Sequence, residues 1–154
     1  MLPGHHVAFL QSCGDAARYP ALTMKETTTV TFEITSWEQS NVLESDSGAK
    51  ITRAIVAKKF SGDLEGTSLA EVLLCGGEGG GAGYLAMERV TGTLNGRRGS
   101  FVIQHGGLST PAGPQPFGDI LPGTGTEELT TIRGTARYAH DESGARVTLE
   151  YELD

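Results

Sequence analysis

Residues 84–105, YLAMERVTGTLNGRRGSFVIQH, contain two runs of strand-like sequence on either side of an Asn-Gly pair. Asn-Gly is a preferred dipeptide of two-residue β-hairpin turns, because both residues tolerate a positive φ. Residues 84–94 and 100–105 are therefore predicted to be paired strands. No Gly-Lys-Ser/Thr sequence follows and no helix begins here, so Arg97 and Arg98 are interpreted as solvated turn residues and not as a phosphate-binding loop.

Apolar and polar residues alternate, with a period of two, along the chain on both sides of this segment. In TTVTFEITSW, residues 28–37, Val30, Phe32 and Ile34 alternate with polar side chains, which is typical of a half-buried strand. Further strands are predicted at residues 51–60, 67–75, 126–132, 135–140 and 145–153. These eight strands predict an all-β fold, an antiparallel meander closed into an eight-stranded barrel, because closure removes exposed edges. A β-sandwich is the competing arrangement.

A short repeat supports the meander. The sequence GDLEG at residues 62–66 returns as GTLNG at 92–96, and more weakly as GTEEL at 125–129. Each copy places a leucine between glycines where one strand ends and the next begins, so we expect the leucines to plug one end of the barrel. The long Gly/Pro-rich segment 106–123 exceeds the usual connection length and is interpreted as a lid, a plug or a subunit contact.

Length and charge limit the classes of function. The chain has 154 residues and a formal net charge of −7. It is predicted to form one domain over residues 24–154, preceded by a loosely attached N-terminal extension at 1–23. The negative charge disfavours nucleic acid and anionic lipid as partners, and no apolar run reaches the length of a membrane helix. Two cysteines in unlike contexts are expected to be free thiols of a cytoplasmic protein.

Several charged or polar side chains share strand faces with apolar residues. If those faces point into the barrel, these side chains must pair or change their pKa. The resulting candidates for acid–base chemistry are Glu71, Glu88, His105 and Tyr84, and an ion pair of Arg53 with Glu71 or Glu88 would form a polar site in an apolar cavity. The candidate ligand-binding residues are Arg53, Phe32, Trp37, Phe101, Tyr138 and Tyr151. A period of two does not reveal which face is inside, so solvent exposure, a structural ion pair and core filling remain alternatives.

Cofactor and metal motifs are absent from the sequence. The glycine run at 76–83 precedes a strand-like segment, whereas a dinucleotide fingerprint requires a helix there. His105, His140 and Cys75 lack the spacing of zinc ligands, His5 and His6 are adjacent in the N-terminal segment, and no G-x-S-x-G motif occurs. We therefore expect neither a cofactor nor a bound metal.

The segments FEITSWEQ, AKKFSGDLEGTS, YLAMERVTGTLNGRRGSFVIQHGG and LPGTGTEELTTIRGTA together resemble a bacterial family of small uncharacterised proteins. This resemblance covers residues 28–153. That family carries a domain-of-unknown-function label and is grouped with the allene oxide cyclase-like barrels. The resemblance implies an eight-stranded barrel and leaves the function open, since no motif of allene oxide cyclase itself is matched.

The leading functional hypothesis is a barrel that binds a small apolar or amphipathic molecule. If it also transforms that molecule, we expect a cofactor-independent cyclase or isomerase, because shaping the substrate and one acid or base suffice for such reactions. The alternative is a non-catalytic binding or oligomeric scaffold protein with a packed interior. Residues 67–75 read apolar on both faces, which favours a homo-oligomer.

Overall fold

The computed structural model describes residues 23–43 and 48–154, so the predictions made for residues 1–22 lie outside the described part. The chain forms eight strands in antiparallel order, and β8 returns to pair with β1. The strands are β1 (Lys25–Leu43), β2 (Lys50–Ser61), β3 (Leu64–Gly76), β4 (Ala82–Leu94), β5 (Arg97–Thr110), β6 (Gly113–Ile120), β7 (Arg133–Asp141) and β8 (Gly144–Glu152). The predicted all-β meander closed into an eight-stranded barrel is confirmed, and the sandwich is not formed.

The β4–β5 hairpin has the predicted turn. Leu94 pairs with Arg97, and the two residues between them have positive φ, 47° at Asn95 and 82° at Gly96. This is the primed turn whose twist matches that of the flanking strands. Arg98 is exposed and Arg97 pairs with Glu26 at the barrel surface, so the glycines here make a turn and do not surround a phosphate.

The prediction of the sixth strand was wrong. β6 comes from the Gly/Pro-rich segment, at Gly113–Ile120, while the predicted strand 126–132 contains a short 3-10 helix at Glu127–Leu129. Leu129 and Ile132, three residues apart, are both fully buried, and this spacing fits a 3-10 turn better than a strand. Pro114 and Pro116 are tolerated because β6 pairs with β7 only at Asp119–Thr135 and Ile120–Gly134, which leaves one side of the strand without a ladder.

A bulge in β1 sets which side chains of that strand face inward. Ile34 pairs with Lys58, but after the register shift at Thr35 Trp37 pairs with Val56. Trp37 therefore lies on the same inner face as Ile34, although the two are an odd number of positions apart, because a bulge adds one residue to a strand.

The interior differs between the two ends of the barrel. At the closed end, where β1, β3, β5 and β7 begin, large side chains form one core that includes Phe60, Phe101 and Tyr151. The repeat leucines Leu64, Leu94 and Leu129 are buried in this core, as predicted. At the open end the inner face carries small side chains, namely Ala54, Val56, Ala70, Val72 and Ala86. This change in side-chain size leaves space inside the open end.

Candidate functional site

The open end of the barrel contains a cavity of about 550 Å³. Residues of β1, β2, β3, β4, β5, β6 and β7 line it, and its wall includes the apolar side chains Phe32, Ile34, Trp37, Val56, Ala70, Val72, Leu74 and Ala136. The polar side chains Lys58, Tyr84, His105 and Tyr138 also lie on the wall. The cavity exists because alanine and valine occupy inward positions of β2 and β3 at this end.

A fully buried carboxylate, Glu88 of β4, lies at the base of this cavity. One of its oxygens is 2.5 Å from Ser68 Oγ. The other is 2.9 Å from Lys58 Nζ, 2.8 Å from His105 Nε2 and 2.7 Å from Tyr138 Oη. We call these five residues, Lys58, Ser68, Glu88, His105 and Tyr138, the Glu88 cluster. Four elements besides β4 supply its members, so the cluster forms only when the barrel closes.

The Glu88 cluster keeps its carboxylate ionised. Burial raises the pKa of Glu88, but the hydrogen bond from His105, the positive charge of Lys58 and the hydrogen bonds from Lys58 and Ser68 outweigh burial and lower the pKa from 4.5 to about 2. The pKa of Tyr138 is raised well above its ordinary value by burial and by the adjacent Glu88 charge. Tyr138 therefore stays protonated and donates to Glu88.

His105 connects Glu88 to a second tyrosine. Tyr84 Oη lies 3.1 Å from His105 Nδ1, and the ring of His105 stacks on Tyr138 with centroids 4.2 Å apart. Because ionised Glu88 accepts from Nε2, the neutral imidazole carries its proton there, and Nδ1 accepts the Tyr84 hydroxyl. A proton leaving Tyr84 can pass to His105, where Glu88 would stabilise the imidazolium. Burial and the Glu88 charge raise the pKa of Tyr84, so its hydroxyl is protonated at neutral pH.

Lys58 places a positive charge at the cavity wall. Its ammonium lies 4.9 Å from the ring centroid of Phe32 and 4.7 Å from that of Tyr138. Its side chain is 8% exposed, and its hydrogen bond to Glu88 offsets the cost of burial. The aromatic faces add a favourable contact for the cation.

The structure brings together part of the predicted site. Glu88, His105 and Tyr84 are in contact, and Phe32, Trp37 and Tyr138 line the same cavity. The expected Arg53–Glu71 pair forms, with contacts of 2.8 and 2.7 Å, but on the outer face, where the two side chains are 48% and 54% exposed. Placing this pair inside the barrel was wrong, because the inward face of β2 carries Ala54, Val56 and Lys58 instead.

Two aromatic candidates belong to the core of the closed end. Phe101 and Tyr151 are buried there and do not line the cavity. The hydroxyl of Tyr151 donates to Glu26 at 2.7 Å and accepts from Asn95, so its polar group is satisfied by the barrel itself. Their place in the structure is that of core residues.

Sequence reasoning missed Lys58 and Ser68. Lys58 follows Ala54 and Val56 at alternate positions and precedes Phe60, so it interrupts an apolar face. A lysine in such a position indicates a buried charge when that face is inward. Ser68 gave no comparable signal, since serine is common on either face of a strand.

The described residues contain no cluster of three or more histidine, cysteine, aspartate or glutamate side chains that could hold a metal ion. Among the same residues, no helix has the length and apolar character required to cross a membrane.

Comparison with known proteins places the chain in a family without assigned function. Residues 28–153 match the family described as "Protein of unknown function (DUF3224)". The chain is similar to a crystal structure of a protein of unknown function from that family from Shewanella oneidensis MR-1, with 29% identity and a TM-score of 0.77, over 85% of this chain and 99% of the other. No curated protein matches. With the family match extending over all eight strands, the chain belongs to the DUF3224 family.

Proposed function

We propose that the protein binds a small, largely apolar molecule in the cavity at the open end of the barrel. The observation that carries this proposal is a cavity of about 550 Å³ with an apolar wall, on which Lys58, His105 and Tyr138 of the Glu88 cluster also lie. Ligand sites are commonly about 300 to 1,000 Å³, with apolar linings and a few polar groups that fix orientation. The cavity has this size and this distribution of side chains.

The Tyr84–His105–Glu88 chain supports an extension of this proposal to cofactor-independent cyclisation or isomerisation. Tyr84 lines the cavity and is the group that would exchange a proton with a ligand. His105 would exchange that proton with Tyr84, and Glu88, which four donors surround, would orient and stabilise the imidazole in either protonation state. A scaffold with a packed interior is disfavoured by the volume of the cavity.

The binding proposal is tested with N-phenyl-1-naphthylamine, an uncharged dye that fluoresces in apolar surroundings. Trp37 is the single tryptophan of the chain and lines the cavity, so dye bound there should quench its emission by energy transfer. We expect saturable binding of one dye per chain. Replacing Ala70 by Phe fills the cavity and should abolish this signal, and Val72→Phe serves as a second filling variant if Ala70→Phe does not fold.

A matched control separates the cavity from the outer surface. Leu85 is 59% exposed on the outer face of β4, so Leu85→Ala removes apolar surface without altering the cavity. This variant should bind the dye as the parent protein does. The proposal is overturned if folded protein binds no dye, or if Leu85→Ala loses the signal while both filling variants retain it.

A further inference from the structure

We infer that the ligand carries an anionic head group, such as a carboxylate, and that its binding places a proton on His105. This inference rests on the proposed binding function and specifies the ligand's chemistry. The head group would lie against Lys58 and Tyr84, with the apolar body along the aliphatic and aromatic wall. The proton comes from solvent, and no covalent step is involved.

The base of the cavity is rich in donors and poor in acceptors. Glu88 is the carboxylate there, and its oxygens already accept from Lys58, Ser68, His105 and Tyr138. Within residues 23–43 and 48–154, the Lys58 ammonium has one hydrogen-bond acceptor, Glu88, which leaves two of its three N–H groups for a ligand or water. A cationic or donor-only head group would find no comparable acceptor. An oxyanion would find donors.

The charge balance of the Glu88 cluster explains why a proton should accompany the anion. Lys58 and Glu88 cancel, so the cluster is neutral while His105 is neutral. An anion entering this buried site would add an uncompensated negative charge, which is costly away from water. Protonation of His105 supplies the compensating charge, and histidine is the side chain whose charge changes most readily near neutral pH.

The hydrogen bond between Tyr84 and His105 can reverse on protonation. Neutral His105 accepts the Tyr84 hydroxyl at Nδ1, whereas the imidazolium donates from both nitrogens, to Tyr84 and to Glu88. The Tyr84 hydroxyl is then free to donate into the cavity. Protonation therefore adds a positive charge and aims a second donor at the site while every existing contact is kept.

Other ionisable side chains belong to β6 and β7. Asp119 of β6 and Arg137 and His140 of β7 line the cavity but are exposed to solvent, so their charges are screened. The groups that face His105 directly are Tyr84 and Glu88 of β4 and Tyr138 of β7, with Lys58 of β2 and Ser68 of β3 sharing the same carboxylate.

The inference is tested by displacing bound N-phenyl-1-naphthylamine with decanoate, decanol and decylammonium, which share one tail length and differ in head-group charge. We expect decanoate to displace the dye at concentrations roughly tenfold or more below those of decanol, as hydrogen bonds to charged groups imply. Decylammonium should be weaker than decanol. Equal potency of decanoate and decanol would overturn the inference.

Proton uptake is measured by titration calorimetry with decanoate in phosphate and in Tris, whose ionisation enthalpies differ. At pH values where His105 is neutral in the free protein, uptake should approach one proton per decanoate, and the Kd should rise about tenfold per pH unit. His105→Gln retains a hydrogen-bond donor for Glu88 but cannot take up a proton, so the Kd of this variant for decanoate should be constant from pH 6 to 8.5. Absence of uptake, or an unchanged pH slope in His105→Gln, would overturn the inference.

Lysine variants test the head-group contact. Lys58→Met should remove the preference for decanoate over decanol while dye binding persists, and Lys59→Met, an equal change of charge on the exposed face, should retain that preference. If Lys58→Met does not fold because Glu88 loses its partner, Lys58→Met with Glu88→Gln keeps the pair neutral. A failure of dye binding in the parent protein would refute the proposed function itself, whereas dye binding without charge preference refutes only this inference.

Discussion

Glu88 is the residue on which the polar interior depends. It is fully buried, yet each of its oxygens accepts a hydrogen bond and Lys58 balances its charge. The sequence placed Glu88, Tyr84 and His105 on faces with apolar neighbours, so their proximity could be predicted from strand periodicity. The direction of those faces, inward or outward, could not be predicted, because Glu71 and Arg53 have the same local pattern and lie outside.

The stability of the protein should fall in acid because of Glu88. Its pKa is lowered from 4.5 to about 2 in the folded protein, so its contribution is complete above pH 4.5 and is lost as the pH falls through 2. This contribution is on the order of 3 kcal/mol. Glu88→Gln should lower the free energy of unfolding at pH 7 and flatten its decline between pH 4.5 and 2, as measured by urea denaturation.

Asp141 provides the matched control for this experiment. Its pKa is also lowered to about 2, through hydrogen bonds from Arg146 and from the Ser143 amide, but the group is exposed. Added salt should remove the effect of Asp141→Asn on acid stability, because exposed charges are screened. The effect of Glu88→Gln should persist at 0.5 M salt, and its disappearance there would contradict a buried origin.

At the scale of elements, the strands in which apolar and polar residues alternate strongly were predicted, and β6, which lacks this alternation, was missed. β4 and β5 carry clear apolar faces and an Asn-Gly turn, whereas β6 is the sequence GPQPFGDI, whose prolines and glycines normally indicate a loop. β6 becomes a strand because β5 presents eight partner residues to it. That long-range pairing has no local sequence signal, so tertiary context determined the outcome.

Gly66 of β3 and Gly92 of β4 pair directly, and their backbones approach closely. A Cβ on Gly66 would lie 2.2 Å from the carbonyl oxygen of Thr91, and one on Gly92 would lie 2.1 Å from that of Glu65. Gly66→Ala should therefore lower the free energy of unfolding by roughly 2 to 4 kcal/mol, since the obstruction is backbone. Thermal denaturation would measure this loss.

Gly81, just before β4, is the corresponding control. A Cβ there meets nothing within 4 Å, and its φ is not in the positive region. Gly81→Ala should leave the melting temperature within about a degree or two of the parent value. A loss as large as that of Gly66→Ala would contradict backbone crowding as the cause, since glycine-to-alanine changes at open positions do not by themselves cost stability.

At the scale of the whole molecule, the outside of the barrel is as informative as the inside. An outer apolar face, formed by side chains that are 41% to 59% exposed, runs across β3 to β6: Leu69, Leu73, Leu85, Met87, Leu108 and Phe117. The Arg53–Glu71 pair lies beside it. If two copies meet around a two-fold axis, Arg53 of each copy can pair with Glu71 of the other. The outer apolar face and the charges beside it are therefore self-complementary.

We expect two copies of the chain to associate through the outer apolar face. Sedimentation at micromolar concentration should give a dimer, and Leu85→Glu should give a monomer because it buries an unpaired charge in the contact. Thr29→Glu makes the same change of charge on β1, at an exposed position away from this face, and should remain dimeric. A parent protein that sediments as a monomer would refute this expectation.

The incomplete ladder between β6 and β7 has a consequence for how such a barrel can diversify. With two residue pairs joining these strands, most of β6 is bonded through its backbone to β5 alone, and the outline of the rim follows from the eight residues of β6. Insertions or substitutions in β6 would widen or narrow the entrance of the cavity, while the closed end, with its buried leucines, would fold unchanged. Evolution of the family could therefore change which small molecule is bound through mutations confined to β6.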